Sequence, residues 1–329
     1  MVRVSILCKA SHRDGLGHLK RQVHLATALR ERGADISFFI RDYPPAREIL
    51  TDHHFPFTVL DDYSKLSEKL PPHVDLLILD INDTDAAWIQ GLKSPARKIA
   101  GFEDLGSGRA HLDLLIDCNL KPNDRSPNLA KVRTLFGWPY VLLHPEFETY
   151  HRRQKHFPEK LSSALVTLGG TDPGQLTLPV AEAIVKARPT IALTLLAGPG
   201  FTERNSLEGF AQGRPEVRLL SSISHLAEIL YSHDAVFCSG GITFFETLCV
   251  GTPALVISQV DHQARQACAM EAQGAAFYLG SAESWDPDCM EKILSLEVSS
   301  RRSMSRSGKS LVDGRGLKRI LEELYGMLV

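Results

Sequence analysis

The sequence lacks the patterns that identify several common classes of protein. Its six cysteines include no CxxC pair, so we expect neither a zinc site nor a disulfide framework, and a reducing cytosol is favoured. No apolar run approaches the roughly 20 residues that a membrane helix needs, and the N-terminus has no signal-peptide core. The formal net charge of −2 gives no electrostatic case for a nucleic-acid or membrane partner. We therefore expect a cytoplasmic protein that binds no nucleic acid and does not insert stably into a membrane.

The fingerprint of a dinucleotide site is also incomplete. Gly15 and Gly17 supply the first two glycines of a GxGxxG pattern, but Lys20 occupies the third position. The second strand-like run, residues 36–40, is followed by Arg41 and not by the acidic residue that would bind a ribose. The sequence therefore disfavours an NAD-type site, and we expect no cofactor.

A histidine at a glycine turn is the most informative feature that is present. The run Arg3–Cys8 predicts a buried strand, and residues 19–32 carry apolar side chains at helical spacing before Gly33. His18 lies between them, where a helix N-terminus favours an anion such as a phosphate. Many histidines at helix starts are surface or capping residues. Because this one follows the first strand of an α/β sheet, and because the helix dipole favours a neutral imidazole, His18 is a candidate general base.

Strand-like and helical runs alternate along the whole chain, which predicts parallel sheets with crossover helices. At 329 residues, the chain is long enough for two domains. We predict an N-terminal domain over residues 1–150, a C-terminal domain over 151–315 and a final helix over 316–329. One arrangement of this helix is to pack back onto the first domain. The polar stretch 139–153 is predicted to connect the domains. The predicted strands are Arg3–Cys8, 36–40, 76–80, 98–102, 114–116, 164–168, Ala192–Leu196, 217–219, Ala235–Cys238 and 254–257.

The second half repeats the order strand, glycine turn, helix. The strand-like run Ala235–Cys238 leads into a glycine turn before a helical run over residues 244–250, which predicts a second anion site. This turn consists of Ser239, Gly240, Gly241, Ile242 and Thr243. Glu246 follows about one turn into the helix, where it is equally compatible with binding ribose hydroxyls and with compensating the helix dipole.

Two further loops in this half carry polar or glycine-rich segments. Gly170 and Thr171 follow a predicted strand, where a ligand can approach the backbone, although Asp172 as a helix N-cap with Pro173 after it describes an ordinary turn equally well. Residues 259–263, which include Gln263, supply groups that can orient a sugar; a solvated loop is the alternative. The serine- and arginine-rich patch 299–310 is predicted to be a solvated loop or helix face.

Several segments together resemble a known family. They are GLGHLKR, DLLILDINDTDAAW, FEDLGSG, LLIDCNL, LLHPEF, TLGGTDP, SGGITFFETLCVGTPALVISQVDHQ and DGRG. In this order they resemble the UDP-2,4-diacetamido-2,4,6-trideoxy-β-L-altropyranose hydrolases of pseudaminic acid biosynthesis, which are related to the N-acetylglucosaminyltransferase of peptidoglycan synthesis. The resemblance implies a GT-B fold, with two Rossmann-like domains whose parallel sheets face an interdomain cleft, and no metal requirement.

The resemblance also implies roles for individual residues. His18 matches the histidine that activates water, Glu246 matches a ribose-binding carboxylate, and Ile223 lies in the segment that meets uracil through its backbone. The loop that holds the diphosphate matches Gly240, Gly241, Ile242 and Thr243. The sequence departs from the family where Asn82 replaces a tyrosine and His262 replaces an asparagine. Both departures fall on the sugar side, so they are candidate specificity residues and the sugar itself is left open.

We therefore expect a metal-independent hydrolase that releases UDP from a UDP-linked amino or deoxy sugar in pseudaminic-acid-like or related surface glycan biosynthesis. A glycosyltransferase of the same fold, acting on an acceptor hydroxyl, is one alternative. A non-catalytic nucleotide-sugar binding protein is another. The sequence indicates no oligomeric state.

Overall fold

The structure is a computed structural model that describes residues 1–119, 129, 131–198, 200–202, 204–221 and 223–328. The chain forms two compact units: unit 1 comprises Met1–His144 with Arg315–Val329, and unit 2 comprises Pro145–Gly314. The first division therefore lies a few residues before the end of the N-terminal domain predicted from the sequence.

Unit 1 is built on a parallel sheet of seven strands in the order β3-β2-β1-β4-β5-β6-β7. The strands are β1 (Arg3–Cys8), β2 (Asp35–Ile40), β3 (Phe57–Val59), β4 (Val74–Asp80), β5 (Ala96–Phe102), β6 (Leu114–Asp117) and β7 (Arg133–Phe136). The helices among them are α1 (Gly17–Glu31), α2 (Pro44–Asp52), α3 (Leu66–Lys69) and α4 (Ala86–Leu92). Because side chains alternate along a strand, Ile78 of β4 joins one buried apolar cluster and Leu77 the other.

Unit 2 has a parallel sheet of six strands in the order β10-β9-β8-β11-β12-β13. The strands are β8 (Ser163–Thr167), β9 (Ala192–Leu196), β10 (Val217–Leu220), β11 (Ala235–Cys238), β12 (Ala254–Ser258) and β13 (Ala276–Ser281). The helices are α5 (Glu146–His151), α6 (Thr177–Ala187), α7 (Arg204–Ala211), α8 (Leu226–Ser232), α9 (Ile242–Val250), α10 (Asp261–Glu271), α11 (Met290–Leu294) and α12 (Val298–Leu311).

The last helix, α13 (Gly316–Leu328), belongs to unit 1, where it packs against α1. Its apolar face buries Leu317, Ile320, Leu321 and Leu324 in the same cluster as the inner face of α1. Gly316 lets the start of α13 approach the backbone at Val141, because a Cβ atom there would lie 2.7 Å from the carbonyl carbon of Val141.

The strands missed from the sequence are all at sheet edges. β3 and β7 end the first sheet and β13 ends the second. Their side chains are mostly only half-buried, since an edge strand has one neighbour, so their sequences lack the continuous apolar character of the central strands. Two predicted irregular segments are also partly helical: 139–153 contains α5, and 259–263 contains the start of α10. The 299–310 patch lies within α12, whose buried face includes Arg301 and Met304.

Two loops at the carboxyl end of the first sheet interlock next to β4 and β5. Thr84, in the loop after β4, donates hydrogen bonds to Asp104 from its backbone nitrogen, at 3.1 Å, and from its hydroxyl. Gly108 N donates to Thr84 O at 2.8 Å. A Cβ atom on Gly108 would overlap Thr84 Oγ1 and lie 2.7 Å from Ile89 Cγ1, so this approach requires glycine.

We expect Gly108→Ala to lower the free energy of unfolding by about 1–3 kcal/mol, the usual effect of forcing an extra methyl group into a packed region. Gly91→Ala is the matched control, because a Cβ atom at Gly91 in α4 meets nothing within 4 Å and replacing a helical glycine is neutral or stabilising. Urea denaturation followed by circular dichroism measures both. Equal midpoints for the two variants would contradict the close approach.

Candidate active site

His18 lies at the carboxyl end of the first sheet, in the first turn of α1. The chain leaves β1 at Cys8 and turns at Gly15, whose φ of 74° favours glycine and whose nitrogen donates to Ser11 O at 2.9 Å. Leu16, the N-cap residue, gives no side-chain cap, and the first turn carries no acidic residue. The positive end of the helix dipole at Gly17 and His18 is therefore not offset by a carboxylate within that turn.

Asp80 orients the imidazole of His18. The parallel pairing of β1 with β4 puts Asp80 next to Cys8, and His18 Nδ1 lies 2.7 Å from Asp80 Oδ1. The Asp80 side chain is fully buried. Burial raises its pKa, but the opposing effects of Arg21 and His18 are larger and hold the pKa well below its usual range. Asp80 is therefore a carboxylate that only accepts, so a neutral His18 donates from Nδ1 and leaves Nε2 as the basic nitrogen.

Arg21, one helical turn after His18, binds the same carboxylate with two nitrogens. Arg21 Nε lies 2.7 Å from Asp80 Oδ2, and Arg21 Nη2 lies 2.6 Å from Asp80 Oδ1. Together with the His18 contact these make three bonds from α1 to Asp80, and Gln22 Nε2 adds a fourth, 2.8 Å long. Arg21 Nη2 is also 3.1 Å from His18 Nδ1. In the tautomer that Asp80 favours, both of these nitrogens are donors, so they form no hydrogen bond. The contact places the guanidinium charge next to the imidazole.

Glu103 binds the other side of the Arg21 guanidinium. Glu103 Oε2 lies 2.9 Å from Arg21 Nη1, and Cys118 Sγ donates to Glu103 Oε1 at 2.8 Å. Burial raises the pKa of Glu103, but Arg21 and His18 lower it below its usual range. Burial, followed by the charge of Glu103, raises the pKa of the Cys118 thiol, which keeps it a donor.

Asn82 lies two residues after Asp80 at this edge of the sheet. Its φ of 67° is in the left-handed region, which asparagine tolerates better than a bulky aromatic residue. Its backbone oxygen accepts from Leu105 N at 2.8 Å. Asn82 Oδ1 is buried and has no hydrogen-bond partner among the described residues. The backbone conformation thus gives a physical reason for asparagine at this position.

In unit 2, the structure brings together three of the predicted binding residues: Gly240, Gly241 and Gln263. A Cβ atom on Gly240 would lie 2.7 Å from Gln263 O, so the turn before α9 touches the start of α10 through its backbone. Gly241 is the N-cap of α9 and gives no side-chain cap. Ile242 and Thr243 open the helix, which leaves its first backbone N–H groups directed toward this turn.

Gln259 links this region to the glycine loop after β8. Its Nε2 donates to Leu168 O at 2.7 Å, and its Oε1 accepts from Gly174 N at 2.9 Å. Gly170 O in this loop accepts from Gly200 N, in the loop after β9, at 2.9 Å. Sequence reasoning did not select Gln259 individually; its place after β12 was the available signal.

Asp172 accepts at the start of α6 from Thr177 N at 2.9 Å and from the Thr177 hydroxyl at 2.6 Å. The helix begins at Thr177 with Leu176 as its N-cap, so the interpretation of Asp172 as the N-cap with Pro173 after it is wrong. The other predicted residues of unit 2 are more scattered. Thr171 is buried beside Asp172, Ile223 is half-buried before α8, and His262 is exposed in the first turn of α10. Glu246 is 8% exposed and lies beyond the first turn of α9, where the helix dipole has little effect.

Comparison with known structures identifies the architecture. MurG from Acinetobacter baumannii superposes with a TM-score of 0.69, covering 99% of this chain and 100% of that chain at 14% sequence identity. The chain has the GT-B fold. No family model matches the sequence.

Two relatives are similar over most of the chain. The spore coat polysaccharide biosynthesis protein SpsG of Bacillus subtilis is 29% identical over 341 aligned positions, which cover 98% of this chain and 99% of SpsG. The UDP-2,4-diacetamido-2,4,6-trideoxy-β-L-altropyranose hydrolase of Campylobacter jejuni is 24% identical over 273 positions, 80% of this chain and 93% of the hydrolase. The resemblance inferred from the motifs is therefore confirmed.

The part of the chain that the structure describes contains neither a membrane-spanning helix nor a metal-binding group of side chains. There, no helix has the length and apolar character needed to cross a membrane. No group of three or more His, Cys, Asp or Glu side chains in the same residues is placed to hold a metal ion.

The sequence predicts His18 as a candidate base but does not indicate that Arg21, Asp80 and Glu103 join it in one cluster. Arg21 could have been found from its spacing, because residues three apart share one face of a helix. Asp80 and Glu103 could have been noticed as acidic residues at the ends of two apolar strands. Their convergence on His18 depends on strand order, which the local sequence does not contain.

We expect Asp80→Asn to lower the free energy of unfolding by about 3–5 kcal/mol at pH 7, because it leaves the buried Arg21 without one partner. Since the pKa of Asp80 is lowered on folding, its contribution is present above about pH 4 and is lost as pH falls further. Asp14→Asn is the control, since Asp14 forms a partly exposed pair with Lys9 at 3.2 Å and should cost less than about 1 kcal/mol. Denaturation curves between pH 3 and 7 measure this, and parallel curves for wild type and Asp80→Asn would contradict it.

Proposed function

We propose that this chain is a hydrolase of glycan biosynthesis that cleaves a UDP-linked amino or deoxy sugar at its anomeric carbon, releasing UDP and the free sugar. The observation that carries the proposal is the 2.7 Å contact between His18 Nδ1 and the buried Asp80 carboxylate, which leaves Nε2 available as a base. The GT-B fold and the two relatives support a nucleotide sugar as substrate. The Campylobacter relative is named as a hydrolase, which supports water as the acceptor.

The proposed chemistry uses His18 as general base. His18 Nε2 accepts a proton from water while the water oxygen forms a bond to the anomeric carbon, and the bond from that carbon to the β-phosphate oxygen breaks. UDP leaves with the electron pair of that bond. The Asp80 carboxylate stabilises the imidazolium that forms, as the buried aspartate of a catalytic triad does.

In this proposal, unit 2 binds the nucleotide. The first N–H groups of α9 and the turn Gly240–Gly241 hold the diphosphate, because an uncapped helix start favours phosphate oxygens. Glu246 accepts from the ribose hydroxyls, and the backbone at Ile223 meets the base. Gly15 and Gly17, Gly170 and Thr171, and Gln263 complete the proposed substrate contacts. Diphosphate is a good leaving group, so positioning and electrostatic stabilisation account for much of the expected acceleration.

Glycosyl transfer is the second candidate. The observation in its favour is the extent of the match to MurG, which covers 99% of this chain. The same imidazole can deprotonate an acceptor hydroxyl in place of water. The pairing of His18 with a buried carboxylate argues against a protein that only binds nucleotide sugars, because binding alone needs no oriented base.

Asn82 and His262 are proposed to set the preference for the sugar. The left-handed backbone of Asn82 and its buried Oδ1 give that position a short amide where the family has an aromatic ring. We therefore propose a sugar that differs from the altropyranose handled by the Campylobacter relative.

We expect His18→Asn to reduce UDP release from the best substrate of a nucleotide-sugar panel by about 10²- to 10⁴-fold, the usual contribution of a general base. His12→Asn, in the exposed part of the same loop, is the control and should keep full activity. Running the reaction in H₂¹⁸O separates the two candidates, because hydrolysis puts the label into the free sugar without an acceptor. Near-normal turnover by His18→Asn would eliminate the proposed base.

We expect Glu246→Gln to weaken UDP binding by about 10-fold or more, because charge-assisted hydrogen bonds to the ribose contribute about 1.5–3 kcal/mol. Glu208→Gln, at an exposed position of α7, is the control. Isothermal titration calorimetry measures both affinities. Unchanged affinity in Glu246→Gln would remove this carboxylate from the nucleotide site.

A further inference from the structure

The group of charges around His18 is unbalanced when the imidazole is neutral. Asp80 and Glu103 are two carboxylates, and among the residues that the structure describes the Arg21 guanidinium binds both, at 2.6 Å and 2.9 Å. The side chains of Asp80, Arg21 and Glu103 are 0%, 10% and 12% exposed, so water screens their charges poorly. The three together carry one net negative charge. Protonation of His18 brings the sum to zero.

Other titratable groups also lie near this cluster, among them the buried Asp117 carboxylate of β6, which acts on the Cys118 thiol. Asp14, in the loop before α1, is paired with Lys9 at 3.2 Å. Burial raises the pKa of the Cys8 thiol on β1 and of the Cys118 thiol after β6, so both stay neutral. Burial also raises the pKa of Tyr63 to about 12, which keeps its phenol neutral.

We infer that Arg21 and Glu103 are positioning residues that set the proton affinity of His18 in opposite directions. Arg21 Nη2 lies 3.1 Å from His18 Nδ1, so its positive charge opposes protonation of the imidazole. Glu103 binds the far side of the same guanidinium and offsets part of that charge. Arg21 thus opposes protonation of the imidazole, while the Asp80 and Glu103 carboxylates favour the imidazolium that the proposed catalysis creates. The catalytic meaning rests on the proposed function; the effect on proton affinity does not.

The test is an NMR titration of the His18 Cε1–Hε1 signal in the unliganded protein, with the signal identified by its absence in His18→Asn. Arg21→Gln should raise the titration midpoint by about 1–3 pH units, the effect of removing a charge within contact distance. Glu103→Gln should lower it by a smaller amount. The double variant should return toward the wild-type midpoint, and Arg21→Lys, which keeps the charge, should shift it less than Arg21→Gln.

Arg47→Gln is the control, because Arg47 forms an exposed pair with Asp42 at 2.7 Å and should leave the midpoint unchanged. Shifts of the same sign in Arg21→Gln and Glu103→Gln, or no shift in either, would overturn the inference. If Arg21→Gln does not fold, the inference is still tested by the lower midpoint expected in Glu103→Gln and by the small shift expected in Arg21→Lys. A midpoint that rises in Arg21→Lys or in Glu103→Gln as much as expected for Arg21→Gln would also overturn it.

The acid limb of kcat/KM then separates this inference from the proposed function. If His18 is the base, the limb moves with the NMR midpoint in each variant. Midpoints that shift in opposite directions while the limb stays constant would uphold the inference and remove His18 as the base. The NMR midpoint of His18 can be measured even if the protein releases no UDP from any substrate. Failure of this inference and failure of the proposed function are therefore distinguishable.

Discussion

The buried charge of Asp80 is the constraint on which the arrangement around His18 depends. A carboxylate without solvent contact costs several kcal/mol unless it is paired, and Asp80 accepts its side-chain hydrogen bonds from His18, Arg21 and Gln22. All three donors belong to the start of α1. The bonds that satisfy the charge therefore also fix the position of that helix over the end of β4, and with it the direction of the imidazole.

The two units fix the positions of their candidate functional groups by different kinds of contact. In unit 1, charged side chains converge on one histidine, and the loops that follow β4 and β5 next to them are held together by Thr84, Asp104 and Gly108. In unit 2, backbone meets backbone at Gly240, where even one methyl group would overlap Gln263. Side chains can hold and move a proton, whereas exposed backbone N–H groups suit an anion. This division of chemistry agrees with a base in one unit and a nucleotide site in the other, as we propose.

Most of the fold was predictable because the central strands are buried on both faces and so have continuous apolar sequences. The missed strands, β3, β7 and β13, lie at sheet edges, where half-buried side chains give a weaker pattern. His18 was predictable because its glycine turn is a local feature. Gln259 and Asp172 were harder to interpret. A loop amide that joins two loops, or a loop carboxylate that binds a helix start five residues later, carries no local sign of the backbone group that it binds.

The sequence by itself determined the alternation of strands and helices, the glycine turns before α1 and α9, and the ordered motifs that carry the resemblance. Each of these depends on neighbours within a few residues. Only the tertiary structure decided which groups act on His18, because Asp80 is 62 positions away in the chain and reaches it through the pairing of β1 with β4. Strand order in a parallel sheet arises from crossover connections and long-range hydrogen bonds. Local patterns do not encode these, so the charged groups near His18 are brought together only in the folded chain.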